Sequence, residues 1–181
     1  MLYDYVKEKH PKAVTSPFYT PKKPFDVQVA GDILVEFCGI CERVGLNYRV
    51  IFGTLLGIYR DGDLIEWDAD TDLGLHAGQE AKLVECIPEI VSNGYTVERV
   101  TQNVLVSFGK HGHYLDVYLY SGKGTLKCSS YSLPDSDFKG SSILNFRGTE
   151  LKTVPDPEGF IVSHYGKDWK TPKRGCPARP Q

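Results

Sequence analysis

The feature that most restricts how this chain can fold is an alternation of acids, Asp68-Ala69-Asp70-Thr71-Asp72, running into Leu73-Gly74. Like charges at every second position repel, and aspartate is a poor strand former, so such a run needs something to offset its charge. At about 100° per residue a helix sets Asp70 opposite Asp68 and Asp72, whereas a strand sets all three on one face. Trp67, Ala69, Thr71 and Leu73 then share the other face. Only a strand makes a cluster. The spacing therefore predicts a strand over about 68–75, with successive carboxylates about 6.5–7 Å apart and able to share cations. Oxygen donors without His or Cys select hard cations, Mg²⁺ or Mn²⁺ before Ca²⁺. A calcium-binding EF-hand loop also opens on D-x-D-x-D, but it requires Gly at its sixth position and Glu at its twelfth. Here those positions are Leu73 and Gln79.

The rest of the chain reads as one α/β domain with a mixed sheet. Its 181 residues suffice for a single core, and 41% apolar with 24% charged residues exclude both a disordered chain and a membrane-embedded one. A formal net charge of −2 provides no broadly basic face, so nucleic acid is not an expected partner, while a small phosphorylated ligand is compatible. The five cysteines are odd in number and lack a disulfide framework, which points to a reducing compartment. No apolar leader opens the sequence and no run approaches about 18 apolar residues, so a cytoplasmic protein without a membrane span is expected. Cys38 and Cys41 have C-x-x-C spacing, but Val27, Ala30, Leu34, Phe37, Cys41 and Val44 recur at helical intervals. They read as small apolar residues of a helix over 25–44 that Gly45 ends.

Residues 1–24, with Pro11, Pro17, Pro21 and Pro24, read as an extended N-terminal arm. A strand over 48–52 should turn through Gly53 into a short helix with Thr54 near its start. A helix over 79–93 contains Pro88, which should kink or divide it. Strands over 95–100, 103–109 and 113–120 are joined tightly enough to be antiparallel hairpins. In the last of these Asp116 shares a face with Tyr114 and Tyr118, and a lone acid there needs a partner. It is either a hydrogen-bonded structural acid or a ligand. Residues 125–145 are ambiguous. Asp156, Pro157 and Glu158 open a helix that Gly166 stops, and 173–181 read as a flexible tail. His111 and His113, at a hairpin with no third ligand, read as structural or surface residues, and Trp67 and Trp169 as core anchors rather than nucleobase platforms.

Upstream of the acids the sequence supplies what a phosphate site needs. Gly53 lets backbone approach an anion, Thr54 offers a hydroxyl and an N–H near a helix start, and Arg60 can pair with phosphate. A strand followed by Gly-Thr, then an acid pair, then a third acid on a later strand resembles the nucleotidyltransferase (polymerase β-like) superfamily. A longer match resembles the LicD and fukutin family of phosphotransferases. It comprises Gly53-Thr54-Leu55-Leu56-Gly57, Arg60, Ile65, Trp67, Asp68, Asp70, Asp72 and Gly74, then Leu115-Asp116-Val117-Tyr118, and finally Tyr165, Gly166, Trp169 and Pro172. Glu66 stands where that family usually has Pro. The resemblance runs from about 33 to 172 and reaches no membrane anchor or N-terminal domain like those of animal members.

The resemblance implies an α/β (α+β) nucleotidyltransferase fold, a mixed sheet with flanking helices, filling a catalytic domain over 25–172. It implies transfer of a phospho-alcohol, phosphocholine or an alditol phosphate, from a CDP-linked donor to a hydroxyl of a carbohydrate or glycoconjugate acceptor, releasing CMP. Two ions, Mg²⁺ or Mn²⁺, would lie between Asp70 and Asp72. Asp116 would hold one of them or act as base, with Asp68 as an outer ligand. Gly53, Thr54, Arg60, Arg147 and Lys167 would contact the phosphates. Two other readings keep the fold: transfer of NMP from an NTP, and a non-catalytic nucleotide-binding module.

Overall fold

A computed structural model describes residues 1–15, 23–175 and 178. Within them a single mixed sheet runs in the order β3 (Thr96–Thr101), β4 (Leu105–Lys110), β5 (His113–Lys123), β2 (Thr71–His76), β1 (Arg49–Val50), β9 (Thr149–Thr153) and β8 (Ser142–Phe146). Pairs β2·β5 and β1·β9 are parallel and the others antiparallel. Two hairpins turn on residues with left-handed backbone, His111-Gly112 between β4 and β5 and Arg147-Gly148 between β8 and β9. Such turns match the twist of the strands they join. The ambiguous stretch resolves into β6 (Thr125–Cys128), β7 (Tyr131–Pro134), the short helix α5 (Ser136–Lys139) and the start of β8. β6 and β7 extend the far end of β5. Buried Arg49 donates to the carbonyls of Asp137, Phe138 and Gly140, which clamps α5 to the sheet.

The helices are α1 (Leu2–Lys9), α2 (Val27–Val44), α3 (Phe52–Asp61), α4 (Glu80–Ser92) and α6 (Pro157–Tyr165), beside α5. The Asp26 carboxylate caps α2 by accepting from the Gln28 and Val29 amides, and left-handed Gly45 closes it. Leu34, Phe37, Cys38 and Cys41 of α2 are buried in the core, and burial pushes the Cys38 thiol up to about 12, so it packs as an inert apolar group. His113 is structural, its Nε2 accepting from the Asp26 N–H at 2.9 Å. At α6 the Asp156 carboxylate accepts from Gly159 N–H at 3.0 Å, with Pro157 in the first turn. None of the described helices is long and apolar enough to cross a membrane.

Four expectations need correction. The first residues are not an extended arm: α1 buries Leu2 and Val6, a one-turn pair that precedes every proline. The chain then lies along β3, with Val14 N–H donating to Glu98 O and Val14 O accepting from Val100 N–H. The remainder of that arm, 16–22, falls outside the described residues. Second, the acid strand begins at Thr71, where pairing to Leu115 of β5 begins, so Asp68 and Asp70 lead into it. Third, the strand expected over 48–52 shrinks to Arg49–Val50, because the chain already turns at Phe52, whose φ is 50°. Fourth, of the two effects expected of Pro88, division of the helix does not occur: α4 runs unbroken from Glu80 to Ser92 with Pro88 on its exposed face. There the carbonyl that Pro88 leaves without a donor can meet water.

Candidate active site

Strand register assembles the site. Parallel pairing of β2 with β5 sets Asp72 beside Asp116, antiparallel pairing sets Asp116 beside Ser107 of β4, and Ser107 faces Arg99 of β3. Four strands thus carry one polar row through an apolar sheet. Asp70, just ahead of β2, completes the cluster: one carboxylate oxygen from each of Asp70, Asp72 and Asp116 lies within 4.8 Å of the others.

Each acid is held from behind. Asp72 N–H donates to Thr54 Oγ1 at 2.8 Å, and the Tyr114 hydroxyl bonds the Asp70 carboxylate. Ser107 Oγ donates to Asp116 Oδ1 at 2.5 Å, while the Arg99 guanidinium pairs with Oδ2. Asp68 accepts from the Ala69 N–H at 2.9 Å and lies against Gly53, where a Cβ would overlap its carboxylate. Gly53 therefore gives space to an acid.

The cluster is electrostatically unfavourable by itself. Burial pushes Asp70 up to about 7, with Asp116 and Asp68 adding to the effect. Asp72 is raised well above the carboxylate range by burial and then by Asp70, Asp68 and Asp116. Burial also raises Asp116, against the opposing pull of Arg99 and Ser107. Carboxylates this close do not all ionise without a cation among them. Hard oxygen donors with excess negative charge fit Mg²⁺ or Mn²⁺.

Asp68, Asp70 and Asp72 form part of the wall of a cavity of about 350 Å³. Its other walls carry Phe52, Tyr118 and Tyr131, and, from the segment after α6, Trp169 and Lys173. The left-handed φ of Phe52 is a sparsely populated conformation for an aromatic residue, of the kind that clusters at functional sites. Arg60 also lines the cavity. Its Nε and Nη2 donate to the Asp61 carboxylate at 2.9 and 2.6 Å, and its Nη1 to Trp169 O at 3.3 Å.

Of the residues expected to contact phosphate, Gly53 and Arg60 line the cavity with Asp68, Asp70 and Asp72. Thr54 is buried beneath it, bonded to Asp72. Arg147 is elsewhere. Its turn aims it at the start of α2, where it donates to Val27 O and Gln28 O and pairs with Asp32 and Asp63, each at 3.1 Å. Lys167 is exposed and outside the cavity wall, whereas Lys173, paired with Asp168, is on it. Trp67 is not a core anchor: it is 38% exposed on the cavity wall, with the Arg174 guanidinium 5.2 Å from its ring centroid. Trp169 is buried as expected and lines the cavity as well. Part of the expected flexible tail, Lys173, Gly175 and Ala178, thus forms cavity wall; the rest of 176–181 lies outside the described residues. The sequence reading missed Arg99, Ser107 and Lys173. Counting back from the His111-Gly112 turn would have found Ser107 opposite Asp116.

Residues 45–153 match the family model described as "LicD/FKTN/FKRP, nucleotidyltransferase domain". Ribitol 5-phosphate transferase FKRP of Mus musculus and that of Homo sapiens are each 47% identical over 38 residues, covering 21% of this chain and 8% of theirs. Lipopolysaccharide cholinephosphotransferase LicD of Haemophilus influenzae is 29% identical over 77 residues, covering 42% of this chain and 29% of its own. The chain therefore spans less than a third of these relatives. Among solved structures, the lincomycin-bound lincosamide antibiotic adenylyltransferase LnuA superposes with a TM-score of 0.54 at 16% identity, covering 75% of this chain and 85% of that one. ANT(2")-Ia in complex with adenylyl-2"-tobramycin gives 0.53 at 13%, covering 80% and 79%. At such identities the likeness is one of fold, the nucleotidyltransferase fold with its mixed sheet and flanking helices.

Proposed function

The chain belongs to the LicD/FKTN/FKRP nucleotidyltransferase-domain family, and on that premise we propose that it is a metal-dependent transferase acting on a phospho-alcohol. In this reading phosphocholine or an alditol phosphate passes from a CDP-linked donor to a hydroxyl of a carbohydrate or glycoconjugate. The acceptor hydroxyl gives its proton to water, its oxygen bonds to the distal phosphorus, the bond from that phosphorus to CMP breaks, and CMP leaves. The observation that carries the reading is the meeting of opposite charges in one cavity: Asp68, Asp70 and Asp72 on one part of its wall, Arg60 and Lys173 on another. The names of the relatives, a ribitol 5-phosphate transferase and a cholinephosphotransferase, support the choice of transferred group.

Asp70, Asp72 and Asp116 would hold the divalent ions, Mg²⁺ or Mn²⁺, with Asp68 outside them. When bound, such ions would offset the charge of the diphosphate and acidify the acceptor hydroxyl. The protein's own groups do the positioning. Arg60 and Lys173, on the cavity wall, would face the diphosphate, and both have a carboxylate neighbour that keeps them oriented. Asp116 has both oxygens tied to Arg99 and Ser107, which suits a fixed ligand better than a general base.

A thermal-shift screen of CDP-choline, CDP-ribitol, CDP-glycerol, CTP, ATP and UDP-sugars, with and without Mg²⁺, tests the donor class. Ligand at 100 times its dissociation constant stabilises by about 2.7 kcal/mol, well within reach of the assay. The proposal expects an Mg²⁺-dependent shift with CDP compounds. A shift with ATP alone contradicts it, and an acceptor that gains CMP in mass, rather than an alcohol phosphate, makes the enzyme a nucleotidyltransferase.

A further inference from the structure

Arg99 is 5% exposed and Ser107 and Asp116 are more deeply buried still. Arg99 Nε donates to Ser107 Oγ at 2.9 Å, Ser107 Oγ donates to Asp116 Oδ1, and the Arg99 guanidinium returns to Oδ2. The three side chains close a ring that ties both oxygens of one carboxylate and so stops it turning. A carboxylate oxygen that accepts one bond still has acceptor capacity left, and one Asp116 oxygen lies within 4.8 Å of oxygens of Asp70 and Asp72.

The ring depends on a backbone irregularity. Thr96 pairs with Gly109 and Val97 with Phe108, but the next pair is Arg99 with Ser107. One extra residue, Glu98, is accommodated in β3 between them. Without that bulge Glu98 would face Ser107, and a third acid would join Asp72 and Asp116 in the row. With it, a guanidinium takes the place, and Glu98 bonds instead with Thr96 Oγ1 at 2.6 Å. The edge of the bulged strand is then secured by the N-terminal segment, through Val14.

We infer that Arg99 is a positioning residue for divalent-cation binding, acting through Asp116, and that the β3 bulge exists in the fold to deliver it. This rests on the proposed function, in which the acids bind metal. With the acids ionised, direct charge repulsion and positioning predict opposite signs; because the Arg99 charge also favours the ionised form of Asp116, the charge-keeping Arg99→Lys is the deciding variant. A cation close to a metal site repels the metal, so if that repulsion alone mattered, removing Arg99 would strengthen cation binding. If Arg99 orients the ligand, removing it weakens binding, although a repulsive charge has gone.

Calorimetric titration of Mn²⁺ into the full chain distinguishes the two. Arg99→Met should weaken Mn²⁺ binding by about tenfold or more, the usual scale for loss of a group that orients a metal ligand. Arg99→Lys keeps the charge but cannot bridge Ser107 and Asp116 together, so it too should bind more weakly than wild type. Ser107→Ala, which removes one of the two ties, should lie between wild type and Arg99→Met. Binding by Arg99→Met as tight as wild type, or tighter, overturns the inference. Wild-type affinity in Arg99→Lys overturns it equally, whether or not Arg99→Met folds. Absence of Mn²⁺ binding in the wild-type chain overturns instead the metal reading on which it rests.

Discussion

The backbone N–H of Asp72 donates to the hydroxyl of Thr54 across 2.8 Å, joining the first turn of α3 to the strand that carries the acids. The second residue of the Gly-Thr pair thus holds the acid in place from below. Thr54→Val, close in shape but without the acceptor, should leave a buried N–H unpaired and cost about 1–3 kcal/mol. Thr54→Ser should cost much less. Urea denaturation of both variants measures the difference.

The acid cluster makes stability depend on pH with a definite sign. The Asp70 pKa in the folded protein, about 7, is above the ordinary value of 3.8 that it has when unfolded. Its contribution is fully present below the unfolded value and is lost as pH rises through about 7. The metal-free protein should therefore melt at progressively lower temperature from pH 5 to pH 8. Asp70→Asn should flatten that decline, and a saturating divalent cation, which needs the ionised acids, should stabilise more at pH 8 than at pH 5. Scanning calorimetry with EDTA or with Mn²⁺ checks both halves.

Gly53 and Asp68 are packed so closely that an added methyl would displace the carboxylate. Gly53→Ala should reduce turnover by at least about tenfold through a misplaced acid and narrowed cavity, while costing about 1–3 kcal/mol in stability for the overpacking. Removing the clash with Asp68→Ala in the same chain should restore the stability but not the activity.

Arg60 and Arg147 should behave oppositely, because one lines the cavity and the other ties the β8–β9 turn to α2. Arg60→Ala should weaken binding of a CDP-linked donor by about tenfold, the loss of a charge-assisted contact to phosphate. Arg147→Ala should leave that affinity unchanged and lower stability by about 1 kcal/mol, the scale of hydrogen bonds to carbonyls and half-exposed acids. Donor titration and denaturant unfolding on both variants separate the roles.

These contrasts show which parts of the protein are legible in its sequence. α2 and α6 carry their caps and stops in the chain itself, in Asp26 and Gly45 and in Asp156 and Gly166. The β3–β5 strands stand out as runs rich in apolar and β-branched residues, separated by short turns. The pairing of Asp70 with Asp72 is legible too, but alternation puts Asp68 with them, and it is the parallel register of β2 with β5 that brings in Asp116. The missing parts depend on relations that no local pattern encodes. The bulge at Glu98 shifts the register by one residue, which decides whether an acid or a guanidinium faces Ser107. Arg147, Lys167 and Lys173 are all cations near turns or chain ends, and only the assembled fold decides that Lys173 reaches the cavity. The prolines from Pro11 onward obscure the helix at 2–9, whose apolar face is just Leu2 and Val6.

The most direct test of the proposed function is release of CMP from CDP-choline and CDP-ribitol over a panel of glycan acceptors. It should be run with Mg²⁺ or with EDTA, on wild type and on Asp70→Asn and Asp72→Asn. Metal-dependent release by the wild type that EDTA and both substitutions abolish, with the fold intact by circular dichroism, is the expected result. Release that persists in EDTA, or undiminished in both variants, would contradict a metal centre built on these acids.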